Sequence, residues 1–123
     1  MRFRLGEFFS GPGGLAYGAK VAKVTDENGM EYSIEHVWAN DIDEYSCKTY
    51  QRNICPERPE IVLHEDVRNI EIKKLPPIDA FAYGFPCNDF SVVGEQNGID
   101  GEYGPLYSYG VDVLNIHKPL WFF

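Results

Sequence analysis

The sequence predicts an α/β fold built on a mostly parallel sheet. Three observations predict it. Strand and helix signals alternate along all 123 residues. A glycine-rich turn, Ser10-Gly11-Pro12-Gly13-Gly14, directly follows the first apolar segment. A later apolar run, residues 78–83, leads into Gly84-Phe85-Pro86-Cys87. That places a cysteine where an open parallel sheet presents groups to a ligand crevice.

Residues 3–9 read as the first strand, and residues 14–24 as the helix after the glycine turn, with Leu15, Tyr17, Ala19 and Val21 as packing residues. Thr25-Asp26-Glu27-Asn28-Gly29 has the composition of a turn. Residues 32–39 form a second strand around Ile34, His36, Val37 and Trp38. Residues 43–53 carry Tyr45, Thr49 and Tyr50 at helical spacing. Pro56 and Pro59 end that helix, and Ile61-Val62-Leu63 is a short third strand. Residues 66–77 are a connection in which Pro76 and Pro77 stop any helix. The fourth strand is 78–83, followed by a long loop over 91–104 with four glycines. Residues 106–116 are helical, and 120–123 begin a fifth strand. The reading is one domain with right-handed crossovers and the strand order 3-2-1-4-5, incomplete at its C-terminal end.

Composition narrows the function. With 44% hydrophobic and 15% aromatic residues, the chain is globular rather than disordered. No apolar run approaches the roughly 18 residues of a membrane span, and the N-terminus lacks a signal-peptide pattern, so the expected location is the cytoplasm. The net charge of −8 counts against a phosphate-neutralising surface. If nucleic acid is the substrate, much of the phosphate grip must come from elsewhere. Cys47, Cys55 and Cys87 form no C-x-x-C pair and have no histidine at metal-ligand spacing, so neither a disulfide framework nor a metal site is expected. Cys47 reads as a small buried residue and Cys55 as a helix-end residue without chemistry.

Gly11-Pro12-Gly13-Gly14-Leu15-Ala16 satisfies G-x-G-x-x-G/A between a strand and a helix. Residues without Cβ let the backbone approach a ligand there, although such a turn also serves purely structural ends. Asp41, after the second strand, can accept hydrogen bonds from ribose hydroxyls. It lies 30 residues beyond Gly11, where a dinucleotide fingerprint places its carboxylate about 20 on. The turn at 26–29 absorbs the difference. Asp43 competes, but suits the first turn of the next helix. Two roles fit Asp66: an adenine contact, or a cap before residues 67–70. Cys87 lies beside Pro86 and the polar Asn88-Asp89, a setting that favours a thiolate nucleophile over a core residue.

Together these segments resemble the N-terminal part of a cytosine-5 DNA methyltransferase. Phe9-Ser10-Gly11-Pro12-Gly13-Gly14 resembles the family's first motif, and Asn40-Asp41-Ile42-Asp43 with Tyr45 and Lys48-Thr49-Tyr50 resembles its second. Asp66-Val67 is similar to the third, and Gly84-Phe85-Pro86-Cys87-Asn88-Asp89-Phe90-Ser91 to the catalytic motif. Gly94, Gln96, Gly98 and Gly104-Pro105-Leu106-Tyr107 match the mobile loop and the helix after it. The resemblance implies a Rossmann-like S-adenosylmethionine-dependent methyltransferase fold. It implies a cofactor site at Phe9, Ser10, Gly11, Gly13, Gly14, Leu15, Asp41, Ile42, Asp66, Val67, Gly84, Pro86 and Leu106. Asp41 would hold the ribose, Ile42 would lie against adenine, and Asp66 would contact the adenine amino group.

The implied chemistry is methylation of a flipped cytosine in double-stranded DNA, as in restriction–modification systems, releasing S-adenosylhomocysteine. Cys87 is the implied nucleophile, Pro86 shapes its pocket, and Asn88, Ser91 and Gln96 belong to the substrate loop. Three departures stand out. Asn88 replaces the usual glutamine, Tyr103 stands where members often carry arginine, and the chain ends where the family continues into a Glu-Asn-Val motif. The expectation is therefore an N-terminal portion of a catalytic domain over 1–123, without a target-recognition domain and weak or inactive alone. A non-catalytic subunit completed by a partner chain, or by a further C-terminal region, is the alternative in another class. An RNA cytosine methyltransferase and a nicotinamide-dependent oxidoreductase also stand, the latter leaving Cys87 unexplained.

Overall fold

A computed structural model describes residues 1–85 and 106–123. β1 (Arg2–Phe8) occupies the sheet centre, between β3 (Glu31–Asp41) and β5 (Ala80–Tyr83), parallel to both. β4 (Val62–His64) extends the sheet parallel to β3, and β6 (Trp121–Phe122) parallel to β5. The parallel order β4-β3-β1-β5-β6 is the expected 3-2-1-4-5 arrangement once a short extra strand, β2 (Lys23–Thr25), is set aside.

That extra strand corrects the reading of a helix over 14–24. α1 (Gly14–Val21) stops early, and Ala22 is already extended. β2 then pairs antiparallel with residues 31–33. The cause is the turn between them. The Asp26 carboxylate accepts the N–H groups of Asn28 and Met30 and the Tyr32 hydroxyl, while Gly29 takes φ +81°. This closed turn favours a hairpin over a further helical turn. It also accounts for the long spacing between Gly11 and Asp41. β3 is long enough to carry β2 and β4 on one edge, at residues 31–33 and 39–41 respectively.

Two layers cover the sheet. On one face α1 and α2 (Glu44–Asn53) bury Ala16, Ala39, Cys47, Tyr50 and Ile54. Ala19 meets Leu5, Ala80 and Ala82, and these short side chains let α1 lie close to the strands. On the other face α3 (Tyr107–His117) buries Val113 against Phe8, Trp38 and Phe81, three rings with centroids 5.3–6.0 Å apart. The β1–β3 register slips between Leu5 and Gly6, where β3 carries one extra residue. Gly6 lies directly under the Trp38 indole. At the opposite end of β1, Arg4 grips Asp79 through its backbone N–H and a two-pronged guanidinium contact at 2.8–2.9 Å. That contact fixes where β5 enters the sheet.

Candidate functional site

Parallel strands end together, and β1, β3, β4 and β5 deliver their C-terminal residues to one edge. A cleft of about 400 Å³ opens there. Its walls are Phe9, Asn40, Asp41, Ile42, Glu65, Asp66, Val67, Arg68, Gly84 and Leu106. A second cavity of about 200 Å³ adjoins it through Phe9 and Gly84 and reaches Ser10, Leu15 and Phe123.

The glycine turn is shaped from within. Phe9 adopts φ +54°, a left-handed conformation uncommon for a bulky residue, which turns the chain sharply out of β1. Gly11 and Gly13 follow at φ +56° and +100°. Ser10 N–H donates to the Asn40 carbonyl at 3.0 Å, tying the turn to the end of β3. Gly11 N–H donates to Asp41 Oδ2 at 2.8 Å. The Gly13 carbonyl accepts from Tyr17 N–H and starts α1.

The two competing carboxylates separate cleanly. Asp43 caps α2 by accepting from Ser46 N–H at 2.7 Å, and this bond holds its carboxyl below the ordinary range. Asp41 faces the cleft. Its Oδ1 accepts from Asp43 N–H, so both of its oxygens hold backbone, and no cation among the described residues pairs with them. The Cys47 thiol donates to the Asp41 carbonyl at 3.4 Å, and Cys47 is the small buried residue expected, while Cys55, just past the end of α2, is buried as well.

Asp66 takes the expected cap position and also lines the cleft. It caps the short turn Val67–Asn69 by accepting from Arg68 N–H. The Arg68 guanidinium folds back onto its carboxylate at 2.7 Å and holds its pKa down at about 2. Ile42 is 65% exposed at the cleft, while His64 Nε2 bonds its carbonyl at 3.1 Å. An apolar side chain is thus held out at a fixed backbone position.

Of the expected cofactor residues, Phe9, Asp41, Ile42, Asp66, Val67, Gly84 and Leu106 line the main cleft, and Ser10 and Leu15 the adjoining cavity. Gly11, Gly13 and Gly14 form the turn and the start of α1 beside them. Pro86, Cys87, Asn88, Ser91 and Gln96 lie outside the described residues. Three lining residues were not anticipated as site members: Asn40, Glu65 and Arg68. Asn40 is the most informative. It is 1% exposed, and its amide donates to the Leu63 and Glu65 carbonyls at 2.9 and 2.7 Å, stitching β4 to β3. A polar residue at the last buried position of a strand, next to Asp41, was the available signal.

Residues 3–123 match the family model for C-5 cytosine-specific DNA methylase. The chain belongs to that family. Among curated relatives, it is 58% identical over 127 residues to the type II methyltransferase M.BbvI of Brevibacillus brevis, covering 99% of this chain and 34% of that protein. It is 34% identical over 113 residues to the type II methyltransferase M.NgoFVII of Neisseria gonorrhoeae, covering 90% of this chain and 26% of the relative. The chain therefore spans about a third or less of the curated relatives it matches. The fold resembles the S. pombe Dnmt2 methyltransferase, with a TM-score of 0.62 at 20% identity over 97% of this chain and 34% of that one. It also resembles TrmN from Thermus thermophilus, at 0.52 and 18% over 98% of this chain and 31% of that one. These likenesses show a Rossmann-like fold for this chain, and no helix among the described residues is long and apolar enough to cross a membrane.

Proposed function

We propose that this chain carries the cofactor-binding and nucleophile-bearing part of an enzyme that methylates C5 of cytosine in double-stranded DNA. The cleft at the strand ends carries the reading, because Asp41, Ile42, Asp66 and Val67 converge there beside the glycine turn.

The residues present fit S-adenosylmethionine. Each Asp41 oxygen keeps a second lone pair after its backbone bond, which suits the two ribose hydroxyls. Exposed Ile42 offers an apolar surface to the adenine ring, and Asp66 an acceptor to its amino group. Three carboxylates against one guanidinium give the cleft an acidic lining, favourable to a sulfonium cation. The positive-φ glycines leave the backbone bare where the ligand would approach.

S-adenosylmethionine, when bound, supplies an electrophilic methyl group. The chain's own part begins with Cys87. With the target cytosine turned out of the stack, its thiolate adds to C6 and the 5,6 π electrons make C5 nucleophilic. Once C5 is substituted, loss of its proton returns an electron pair to the ring, and Cys87 leaves as thiolate. Pro86 shapes the base pocket, and Asn88, Ser91 and Gln96 close the substrate loop over the DNA. Residues 1–123 alone bind the cofactor and turn over weakly, in keeping with the third of the M.BbvI length that they match.

Calorimetric titration tests the cofactor half. S-adenosylmethionine should bind and NAD should not, and Asp41→Asn should weaken binding by roughly tenfold, the scale of a lost charged hydrogen bond. Transfer of labelled methyl to duplex DNA tests the nucleophile, with Cys87→Ser abolishing whatever the chain supports. Preference for NAD, or methyl transfer that survives Cys87→Ser, would overturn the reading.

A further inference from the structure

Beneath the glycine turn lies a buried polar pair outside the main cleft. Glu7, 3% exposed, faces Ala39 of β3 and Ala82 of β5 in the strand register, and these short side chains leave room for its carboxyl group. It accepts a hydrogen bond from the hydroxyl of Tyr50 on α2. The fully buried Tyr50 ring reaches the turn itself. A Cβ on Gly13 would come within 3.1 Å of Tyr50 Cδ2 and 3.0 Å of Ile54 Cγ1. The tyrosine thus touches the turn with its ring edge and anchors to β1 with its hydroxyl. Just before the same helix lies Asp41, whose carboxylate holds Gly11 N–H.

We propose that the Glu7–Tyr50 hydrogen bond is a positioning brace for the turn, setting Gly11 to Gly13 against Asp41 and thereby tuning affinity for S-adenosylmethionine. The proposal rests on the cofactor reading above. A turn with positive φ at residues 9, 11 and 13 needs outside support to keep one shape, and a pre-shaped turn binds with less ordering cost. The brace is strongest when Glu7 is ionised, because a hydrogen bond to a carboxylate is roughly twice as strong as a neutral one. Burial pushes Glu7 up to about 7, so that change falls near neutrality. Among the described residues the groups around it are few. α2 and its exit contribute Tyr50 and Cys55, both raised by burial. β3 contributes His36, with its ring 6.2 Å from that of Tyr50, and α1 contributes Lys20. The facing β5 residues, Ala80 and Ala82, carry no charge. His36 is held down at about 4, leaving Glu7 as the group of this set that titrates near 7.

The test is titration of the 123-residue chain with S-adenosylmethionine at about pH 6 and about pH 8.5, unsubstituted and as Glu7→Gln and Tyr50→Phe. The unsubstituted chain should bind about three- to tenfold tighter at the higher pH. Glu7→Gln should lack that gain and keep only the dependence that the ligand's own titration gives all three proteins. Tyr50→Phe should be several-fold weaker than the unsubstituted chain at the higher pH and show the same reduced dependence as Glu7→Gln. The amide resonances of Gly11 and Gly13 should also shift with a midpoint near 7 in the unsubstituted chain, a readout that needs neither ligand nor variant. Binding with one shared pH profile in all three proteins refutes the brace and leaves the cofactor reading standing. No binding by the unsubstituted chain overturns both. Glycine resonances that do not titrate near 7 overturn the brace by themselves.

Discussion

The Glu7→Gln substitution should stabilise the protein above neutral pH, and its size follows from two buried groups that oppose each other. Burial raises Glu7 from 4.5 to about 7. Its folded form therefore holds more protons than its unfolded form between those values. The resulting stability is complete below about 4.5, falls as pH rises, and is gone above about 7. His36 runs the other way. Burial, then the nearby Lys20, lower it from 6.5 to about 4, so its contribution is absent below about 4 and complete above about 6.5. Each gap is worth about 3 kcal/mol. The two slopes cancel over their shared window, and the unsubstituted protein should be nearly flat between about pH 4.5 and 6.5.

Glu7→Gln retains an acceptor for the Tyr50 hydroxyl and removes the falling slope. Urea unfolding from about pH 4 to about pH 8 should then show the His36 rise alone, with the variant ahead by about 3 kcal/mol at the upper end. For a domain of this size the gain corresponds to roughly 10 °C in Tm. His36→Gln should expose the opposite, falling curve. Parallel stability curves for the unsubstituted chain and Glu7→Gln would refute the reasoning, because they would place the ionisation of Glu7 in the same range folded and unfolded.

Two further substitutions probe the frame around the cleft. Asn40→Ala leaves the Leu63 and Glu65 carbonyls without their amide partner, and should cost about 2–3 kcal/mol in urea unfolding while lowering S-adenosylmethionine affinity through the loosened Glu65-Asp66 edge. Gly6→Ala would place a methyl 2.3 Å from Trp38 Cζ2, on an indole that is 2% exposed and donates to the Pro76 carbonyl, so a loss of about 3 kcal/mol should appear in thermal unfolding.

The sheet order and most of the cleft were legible because their signals are local. The glycine turn, Asp41 and Asp66 each follow an apolar strand directly, and a parallel sheet brings all strand ends to one edge. β2 was not legible. Three residues carry no period to separate strand from helix, and the outcome turned on how Asp26 closed the following turn. Glu7 was missed for a different reason. On a strand it reads as the outward half of an alternation, and its burial depends on Ala39 and Ala82 lying opposite and on Tyr50 arriving from a helix 43 residues along the chain. Arg68 likewise entered the site through a short turn with no periodic signal. The nucleophile motif was the strongest element of the sequence, and from Pro86 on, Cys87 included, it lies outside the described residues.

The brace and the stability prediction pull in opposite directions, and that opposition is informative. Ionised Glu7 weakens the fold by about 3 kcal/mol, yet it is the state in which Tyr50 is held most firmly beneath the turn. A core selected for stability alone would place an apolar residue between Ala39 and Ala82, where Leu5 already sits on the same face two residues earlier. A carboxylate there makes sense if the position of the turn matters more than the stability lost, a trade-off common where a scaffold shapes a binding site. The two experiments are therefore linked: Glu7→Gln should gain stability and lose affinity above neutral pH. A variant that gained both would remove the reason for the brace.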